Sequence, residues 1–366
     1  MSIFRRSIPP DSRLTASDEL LLRAVLAPGQ AAAESLATWK RACGYERYDQ
    51  IDFAATLILP SVYGNLVRYG LDDAWLPQLS ALARQHWLHF APRQRDLIAI
   101  LTELSRAGVC PIVVGDFALL AGGYVEPTAA RPTLTSELVV APAQGPRIRQ
   151  CLAQLGWRDL ARVPPSVAGW RSEVWRGPGN AALSVHYSLL PRPFGVIGFV
   201  ELAERSDAAQ VGGLACRVPA ACDLLLQLAI RGCCAPDRAR RQLVWIHDAL
   251  RLLISGRAVD WSQLASAAQA AHAETPLHEA LQILQQRVGD LLPADCLAGV
   301  TAILARDSRR PATRRLAVIE NKLWGEYARS ERAAGRLPSA LGRLRYAAWQ
   351  LRRACGRRAQ ALKLDG

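Results

Sequence analysis

One strand-like stretch carries the residues best placed for chemistry. It reads RPTLTSELVVAP, from Arg131 to Pro142, and it holds Glu137 two positions after Thr135. Residues i and i+2 of a strand point to the same face, so these two side chains should lie side by side. Magnesium takes hard oxygen ligands, and two ions about 3.5 to 4 Å apart clamp the attacking and leaving oxygens in phosphoryl transfer. A pair of carboxylates here would suit such a site, but this strand offers only one.

Three further side chains could contribute to the same chemistry. Asp116 directly follows a glycine turn, Glu173 lies in the strand-like stretch WRSEVW, and His186 lies in ALSVHYSL. One hypothesis is therefore a relocated acidic site of Asp116, Glu137 and Glu173. The alternative is that these side chains are simply solvated, as acidic residues of loops and edge strands usually are. We expect His186 to be a hydrogen-bonded strand histidine, because no serine or cysteine nucleophile motif accompanies it.

The cysteines argue against a zinc site. The chain has nine of them, none in a CxxC pair, and Cys233 and Cys234 are adjacent. Zinc sites use closely spaced ligand pairs, so we expect free thiols that pack as small apolar side chains in a reducing compartment. The first residues lack the apolar core of a signal peptide, and no apolar run reaches a membrane-spanning length of about 18 residues. These features predict a cytoplasmic protein without a transmembrane segment.

The positive charge is concentrated near the end of the chain. The formal net charge is +13, and residues 301–366 hold 16 Lys plus Arg against 5 Asp plus Glu, which leaves +11 in that segment and only +2 in the rest. Its stretch LGRLRYAAWQLRRAC places apolar residues on one helical face and arginines off it. Such a helix could pack on the protein itself, bind a protein partner, or contact nucleic acid or an anionic membrane surface.

Periodicity divides the chain into helical and mixed parts. Apolar residues recur at helical spacing up to Gly108, then short strands, a glycine turn and a helix alternate, and helices return near Val218. The pattern predicts four parts: an N-terminal helical region (1–108), an α/β core (109–215), a C-terminal helical domain (216–300) and a basic amphipathic helical tail (301–366).

The order of these motifs resembles a known family. The stretches VVGDFALLAGGY, TSELVV and ALSVHYSL, followed by LVWIHDALRLL and VDWSQLASAA, are similar in order and spacing to the uncharacterised bacterial nucleotidyltransferases of the DNA polymerase β-like superfamily. The family pattern runs Lys-Gly, a short helix, Arg, Asp-x-Asp on a strand, and later Asp-x-His-Trp. The resemblance covers about residues 100–290.

The family's functional positions carry over only in part. Gly115 matches the family glycine, Arg131 its arginine and His186 its histidine, and these together with Asp116 are the implied nucleotide-binding residues. The implied catalytic positions are degenerate, because Thr135, Glu137 and Ser184 stand where the family has three carboxylates. Tyr187 replaces the tryptophan, and Val114 stands at the lysine. Four later residues fit the helical half: Trp245, Asp248, Asp260 and Trp261.

The resemblance implies an α+β fold, with a nucleotidyltransferase-like α/β core on a small mixed sheet, flanked by N-terminal and C-terminal helical segments. It also implies Mg²⁺-dependent nucleotidyl transfer from a nucleoside triphosphate. The loss of two carboxylates favours an impaired enzyme, a pseudo-nucleotidyltransferase that binds a nucleotide, with Glu137 as the implied metal ligand. Two alternatives stay open: an active enzyme whose metal ligands include Asp116 and Glu173, and an interaction module that acts through the basic C-terminal helix.

Overall fold

The computed structural model describes residues 14–45, 51, 53–125, 135–160, 172–191, 194–234 and 238–306. Arg131 lies outside the described residues, as does the predicted basic helical tail (301–366) from residue 307 onward. No helix in the described ranges is both long enough and apolar enough to cross a membrane.

The N-terminal part of the described chain is helical, as the periodicity predicts. Its helices are α1 (Ala16–Leu26), α2 (Gln30–Ala42), α3 (Phe53–Thr56), α4 (Leu59–Arg68) and α5 (Leu76–Arg106). Thr15 caps α1 through a reciprocal pair of hydrogen bonds with Asp18, which ties up two amide groups that the helix itself leaves unpaired. Gly108, with φ +70°, follows the end of α5 and turns the chain toward the sheet.

A mixed sheet of seven strands forms the α/β core. The strands are β1 (Ile112–Val114), β2 (Ser136–Val139), β3 (Arg158–Asp159), β4 (Ser172–Arg176), β5 (Ala182–His186), β6 (Asp207–Val211) and β7 (Leu214–Val218). Their order across the sheet is β3-β4-β5-β2-β1-β7-β6, so β2 lies in the middle. β2 runs antiparallel to β1 and parallel to β5. Three helices connect the strands: α6 (Asp116–Ala121), α7 (Gly145–Gln154) and α8 (Phe199–Arg205).

The hairpin of β6 and β7 was not predicted from the sequence. Its strands, DAAQV and LACRV, hold three alanines and one cysteine among ten residues, which gives little hydrophobic alternation. Gly212 and Gly213 both adopt positive φ angles between them, the conformation that a two-residue hairpin turn needs. β7 pairs in parallel with β1 and so extends the sheet on the far side of β1.

The remaining described helices are α9 (Ala221–Cys234), α10 (Arg238–Ile254), α11 (Trp261–Ala270), α12 (Glu274–Val288) and α13 (Ala294–Arg306). α9 contacts α10, α11 and α12 and so lies at the centre of this group. Asp260 caps α11 by accepting a hydrogen bond from the amide of Gln263 at 2.9 Å, a role for which aspartate is favoured.

The first and last helical segments contact each other. The Arg287 Nε lies 2.6 Å from the Glu19 Oε1 atom, and Arg23 pairs with both carboxylate oxygens of Asp290. One cluster of buried apolar residues runs from Leu14 to Ile303. It includes residues of every strand except β3, and β6 and β7 contribute one residue each, Val211 and Val218. The predicted α+β class, a mixed sheet flanked by helical segments, is confirmed.

Candidate functional site

Glu137 lies in the middle of the sheet. Its Cα is paired with Val114 of β1 on one side and with Ser184 of β5 on the other. The residue is only 7% exposed. A carboxylate at such a depth requires compensating charge or hydrogen bonds, because burial penalises its ionised form.

A glycine makes room for this carboxylate. Gly115 joins β1 to α6 with φ +68°, a conformation that other residues rarely adopt. A Cβ atom placed on Gly115 would lie 3.0 Å from both the carboxyl carbon and the Oε1 of Glu137. Both the backbone conformation and the close approach of Glu137 therefore favour glycine at position 115.

The compensating charge comes from a distant helix. Arg231, near the end of α9, donates from Nη1 to Glu137 Oε1 at 2.9 Å and from Nη2 to Glu137 Oε2. The pair is bidentate, an arrangement that matches the fork of a guanidinium to the two oxygens of a carboxylate. The Arg231 side chain is 33% exposed, against 9% for that of Glu137, so the cation lies on the solvent side of the pair.

Two neighbours on the sheet complete the hydrogen bonding of Glu137. Thr135 Oγ1 donates to Oε1 at 3.2 Å, and His186 Nε2 lies 3.2 Å from Oε2. An ionised carboxylate only accepts hydrogen bonds, so Nε2 is the protonated ring nitrogen in this contact. Each oxygen of Glu137 thus has two partners.

These contacts keep Glu137 ionised. Burial is the largest single influence and would raise the pKa of Glu137, but the charge of Arg231 and the hydrogen bonds from His186 and Arg231 together outweigh it. The net effect holds the pKa of Glu137 well below its usual range. The carboxylate and the guanidinium therefore form a neutral ion pair at ordinary pH.

The second strand of the site is β5. Its side chains alternate, with Leu183 and Val185 buried and Ser184 and His186 half-buried. Because paired residues of neighbouring strands project to the same face, Ser184 lies on the face that carries Glu137. The structure thus brings together four predicted site residues: Thr135, Glu137, Ser184 and His186.

Glu173 lies on the opposite face of the sheet. Its Cα is paired with Val185, whereas Ser184 is paired with Val174. The structure therefore does not bring Glu173 together with Glu137, as the relocated acidic site would require, because the register of β4 places the two on opposite faces of the sheet. Asp116 is half-buried at the first position of α6. Within the described ranges, no group of three His, Cys, Asp or Glu side chains is arranged to hold a metal ion.

Glu173 has a structural environment of its own. Arg149 of α7 donates to its Oε1 from Nε at 3.0 Å and from Nη2 at 2.6 Å, and Tyr187 donates to the same oxygen at 2.6 Å. The indole of Trp175 donates to Oε2 at 3.3 Å. Burial, followed by the hydrogen bond to Glu173, raises the pKa of the Tyr187 hydroxyl. This cluster fastens α7 to the sheet.

The donor set around Glu137 does not fit a two-metal site. It has one carboxylate, and both of its oxygens already accept hydrogen bonds from Arg231. The hydroxyls at Thr135 and Ser184 are neutral and weaker ligands for Mg²⁺ than carboxylates. A divalent ion could reach Glu137 only by displacing a guanidinium that also provides its charge balance.

Comparison with known proteins agrees with this architecture. A family model described as an uncharacterised nucleotidyltransferase matches residues 53–289. The chain belongs to this family. The match runs from α3 through α12 and includes the whole sheet and the Glu137 site. No curated protein matches the chain. Nucleotidyltransferases generally use a nucleoside triphosphate and a divalent metal, and it is this second requirement that the residues around Glu137 do not meet.

Arg231 was not among the residues predicted from the sequence. It is the one charged side chain within DLLLQLAIRGC after Asp223, on a helix whose other residues are almost all buried. A charge on such a helix usually has a paired partner, and that was the available signal. Arg231 is 94 residues from Glu137, so only the tertiary structure identifies which partner it has.

Proposed function

We propose that this protein is a nucleotidyltransferase-family member that binds a nucleotide without catalysing metal-dependent nucleotidyl transfer. The observation that carries the proposal is the bidentate ion pair between Arg231 and Glu137, on the strand that the sequence resemblance matches to the family's metal-binding strand. One carboxylate with both oxygens engaged cannot hold the two metal ions that this reaction uses to stabilise the attacking and leaving oxygens.

Nucleotide binding is supported by family membership and by the character of the site. The match to the nucleotidyltransferase family includes the glycine turn at Gly115 and the strands that carry Glu137 and His186. The side chains of Arg231 and His186 are 33% and 23% exposed, so a donor-rich surface reaches solvent. Guanidinium and imidazole groups are suited to phosphate oxygens.

An active enzyme with relocated carboxylates has less support. Glu173 is buried on the other face of the sheet, where Arg149, Tyr187 and Trp175 satisfy it. Asp116 would have to act with Glu137 alone. A pair of carboxylates of which one is fully engaged by Arg231 is a poor metal site.

Label transfer tests the proposal directly. The full chain would be incubated with each nucleoside triphosphate labelled at the α-phosphate, with Mg²⁺ and then Mn²⁺, while pyrophosphate release and labelled product are measured. We expect neither to exceed the level of the Glu137→Gln variant. Product formed by the wild type and abolished by Glu137→Gln would refute the proposal, and product abolished by Glu173→Gln would establish the relocated site.

Binding of nucleotide is measured separately by calorimetry. We expect saturable binding of at least one triphosphate by the wild type and weaker binding by Glu137→Ala, which removes the group that positions Arg231. Absence of binding by any of the four common triphosphates would refute the nucleotide half of the proposal.

Two further features of the proposal come from the sequence alone. The free thiols, which in the described residues include Cys151, Cys222 and Cys233, support a cytoplasmic location. The charge of +11 in residues 301–366 supports an acidic protein partner for that segment. Deletion of the residues after Arg336 should weaken such a partner's binding and leave triphosphate binding unchanged.

A further inference from the structure

The charge balance of the Glu137 site differs from that of the family pattern. Three carboxylates give the family pattern a charge of −3 before metal ions bind, and a polyphosphate cannot approach until cations neutralise it. Here Thr135 and Ser184 are neutral, and the charge of Glu137 is cancelled by Arg231. Together these four side chains carry no net charge, so they repel an anion less than three carboxylates would.

The position of the guanidinium is equally specific. Nη1 of Arg231 lies 3.4 Å from a Cβ atom placed on Gly115, and both Nη atoms contact the carboxylate of Glu137. The cation is thus held between the glycine turn and the strand. This is where the resemblance expects a metal ion to bind between the carboxylates and the phosphates of the nucleotide.

Packing holds Arg231 in this place. The next residue, Gly232, lies against the indole of Trp245 on α10, and a Cβ atom at Gly232 would overlap that ring. α9 can therefore approach α10 closely, and Arg231 in its last turn reaches Glu137 of the sheet. The cation is provided by a packed helix and is present before any ligand arrives.

We propose that the Arg231 guanidinium replaces the divalent cation of the family site, so that this protein binds a nucleoside triphosphate through Arg231 without Mg²⁺. The inference rests on the proposed function, since it assumes that a nucleotide is the ligand. Glu137 is a positioning residue in this arrangement: it holds Arg231 and does not itself contact a metal ion.

Binding with and without magnesium tests the replacement. Calorimetry with ATP, GTP, CTP and UTP would be run on the full chain in EDTA and in excess Mg²⁺. We expect the two dissociation constants of the wild type to agree within about threefold, and Arg231→Met to weaken binding in EDTA by at least about tenfold, as expected for loss of a charge-assisted phosphate contact. Arg231→Lys should retain part of the affinity, because it keeps the charge and loses the fork.

A matched arginine provides the control. Arg149 also pairs with a buried glutamate of the same sheet, but on its opposite face. Arg149→Met should therefore leave the dissociation constants unchanged. If Arg231→Met does not fold, the double variant Glu137→Gln/Arg231→Met removes both charges and provides the same measurement.

The outcomes separate the two proposals. Two results would overturn the metal replacement and leave the nucleotide-binding function standing. One is a dissociation constant that Mg²⁺ lowers tenfold or more (about 1.4 kcal/mol), and the other is unchanged affinity in EDTA when Arg231 is replaced. Absence of binding in both conditions would refute the proposed function itself.

A second experiment needs no nucleotide. Thr135→Asp/Ser184→Asp restores three carboxylates on one face, and Arg231→Met can be added to that variant. Electron paramagnetic resonance of Mn²⁺ should detect binding by the triple variant, which lacks Arg231. The double variant, which keeps Arg231, should bind Mn²⁺ at least about tenfold more weakly, because the guanidinium and the metal ion repel each other within a few ångströms. Equal Mn²⁺ binding by the two variants would overturn the replacement.

Discussion

The Arg231–Glu137 pair should show strong energetic coupling. Arg231→Met leaves the Glu137 carboxylate buried with its charge uncompensated. We therefore expect the free energy of unfolding to fall by about 3 kcal/mol, the lower end of the range for breaking a buried ion pair. Glu137→Gln should cost less, about 1.5 kcal/mol, because Arg231 is a third exposed and water can solvate the freed guanidinium. The double variant has no buried charge and should lose about 1.5 kcal/mol for imperfect packing and hydrogen bonding. The sum of the single losses then exceeds the loss in the double variant by about 3 kcal/mol.

Urea denaturation of the four proteins, followed by tryptophan fluorescence and far-ultraviolet circular dichroism, measures this difference. The ten tryptophans of the chain give an adequate signal. The cycle Arg149→Met with Glu173→Gln is the matched control, since it tests a second buried pair outside the proposed site. Additive losses for Arg231 and Glu137, to within about 0.5 kcal/mol, would refute the reasoning that the charges depend on each other.

The same pair predicts a pH dependence. The pKa of Glu137 is lowered on folding from its ordinary value near 4.5, so the stabilisation is fully present above that value. It is lost as the pH falls from there toward the lower pKa of the folded state. The difference in unfolding free energy between the wild type and Glu137→Gln should therefore be constant from pH 6 to 8, to a good approximation, and shrink at acid pH. A difference that grew on acidification would contradict the assigned ionisation.

Three substitutions test the surroundings of the site. Gly115→Ala should destabilise the protein by about 1 to 3 kcal/mol, because alanine is strained at φ +68° and its Cβ would crowd the Glu137 carboxylate. A variant as stable in urea as the wild type would contradict this. Glu173→Gln should cost about 1 to 3 kcal/mol by weakening the bond to Arg149, while triphosphate affinity measured by calorimetry stays unchanged. Gly232→Ala should lower both stability and triphosphate affinity, because it forces α9 away from Trp245 and displaces the last turn of that helix; unchanged affinity in a folded variant would show that this packing does not position the site.

Periodicity and local signals were sufficient for most of the elements. The long apolar pattern before Gly108 predicted the N-terminal helices, and the alternation of short strands with a glycine turn and a helix predicted the α/β core. The β6–β7 hairpin was missed because its strands, DAAQV and LACRV, show little hydrophobic alternation, and only Val211 and Val218 in them are buried. Strand order could not be predicted, since it depends on which edges pair over long separations in the chain.

The site was predictable only along single strands. The i and i+2 relation placed Thr135 beside Glu137, and the family resemblance placed Ser184 and His186 near them. The relocated site failed because register decides the face of a strand: one residue of shift in pairing separates Glu173 from Ser184. The sequence alone could not supply that register.

The amino-acid types by themselves determined that Thr135, Glu137 and Ser184, which the resemblance matches to the family's catalytic positions, supply one carboxylate and two hydroxyls. Only the tertiary structure decided what compensates the remaining charge. Arg231 reaches Glu137 because α9 packs closely against α10, and because a glycine turn leaves space for the carboxylate. A long-range ion pair depends on the relative placement of two elements 94 residues apart, and no local pattern in either element encodes it.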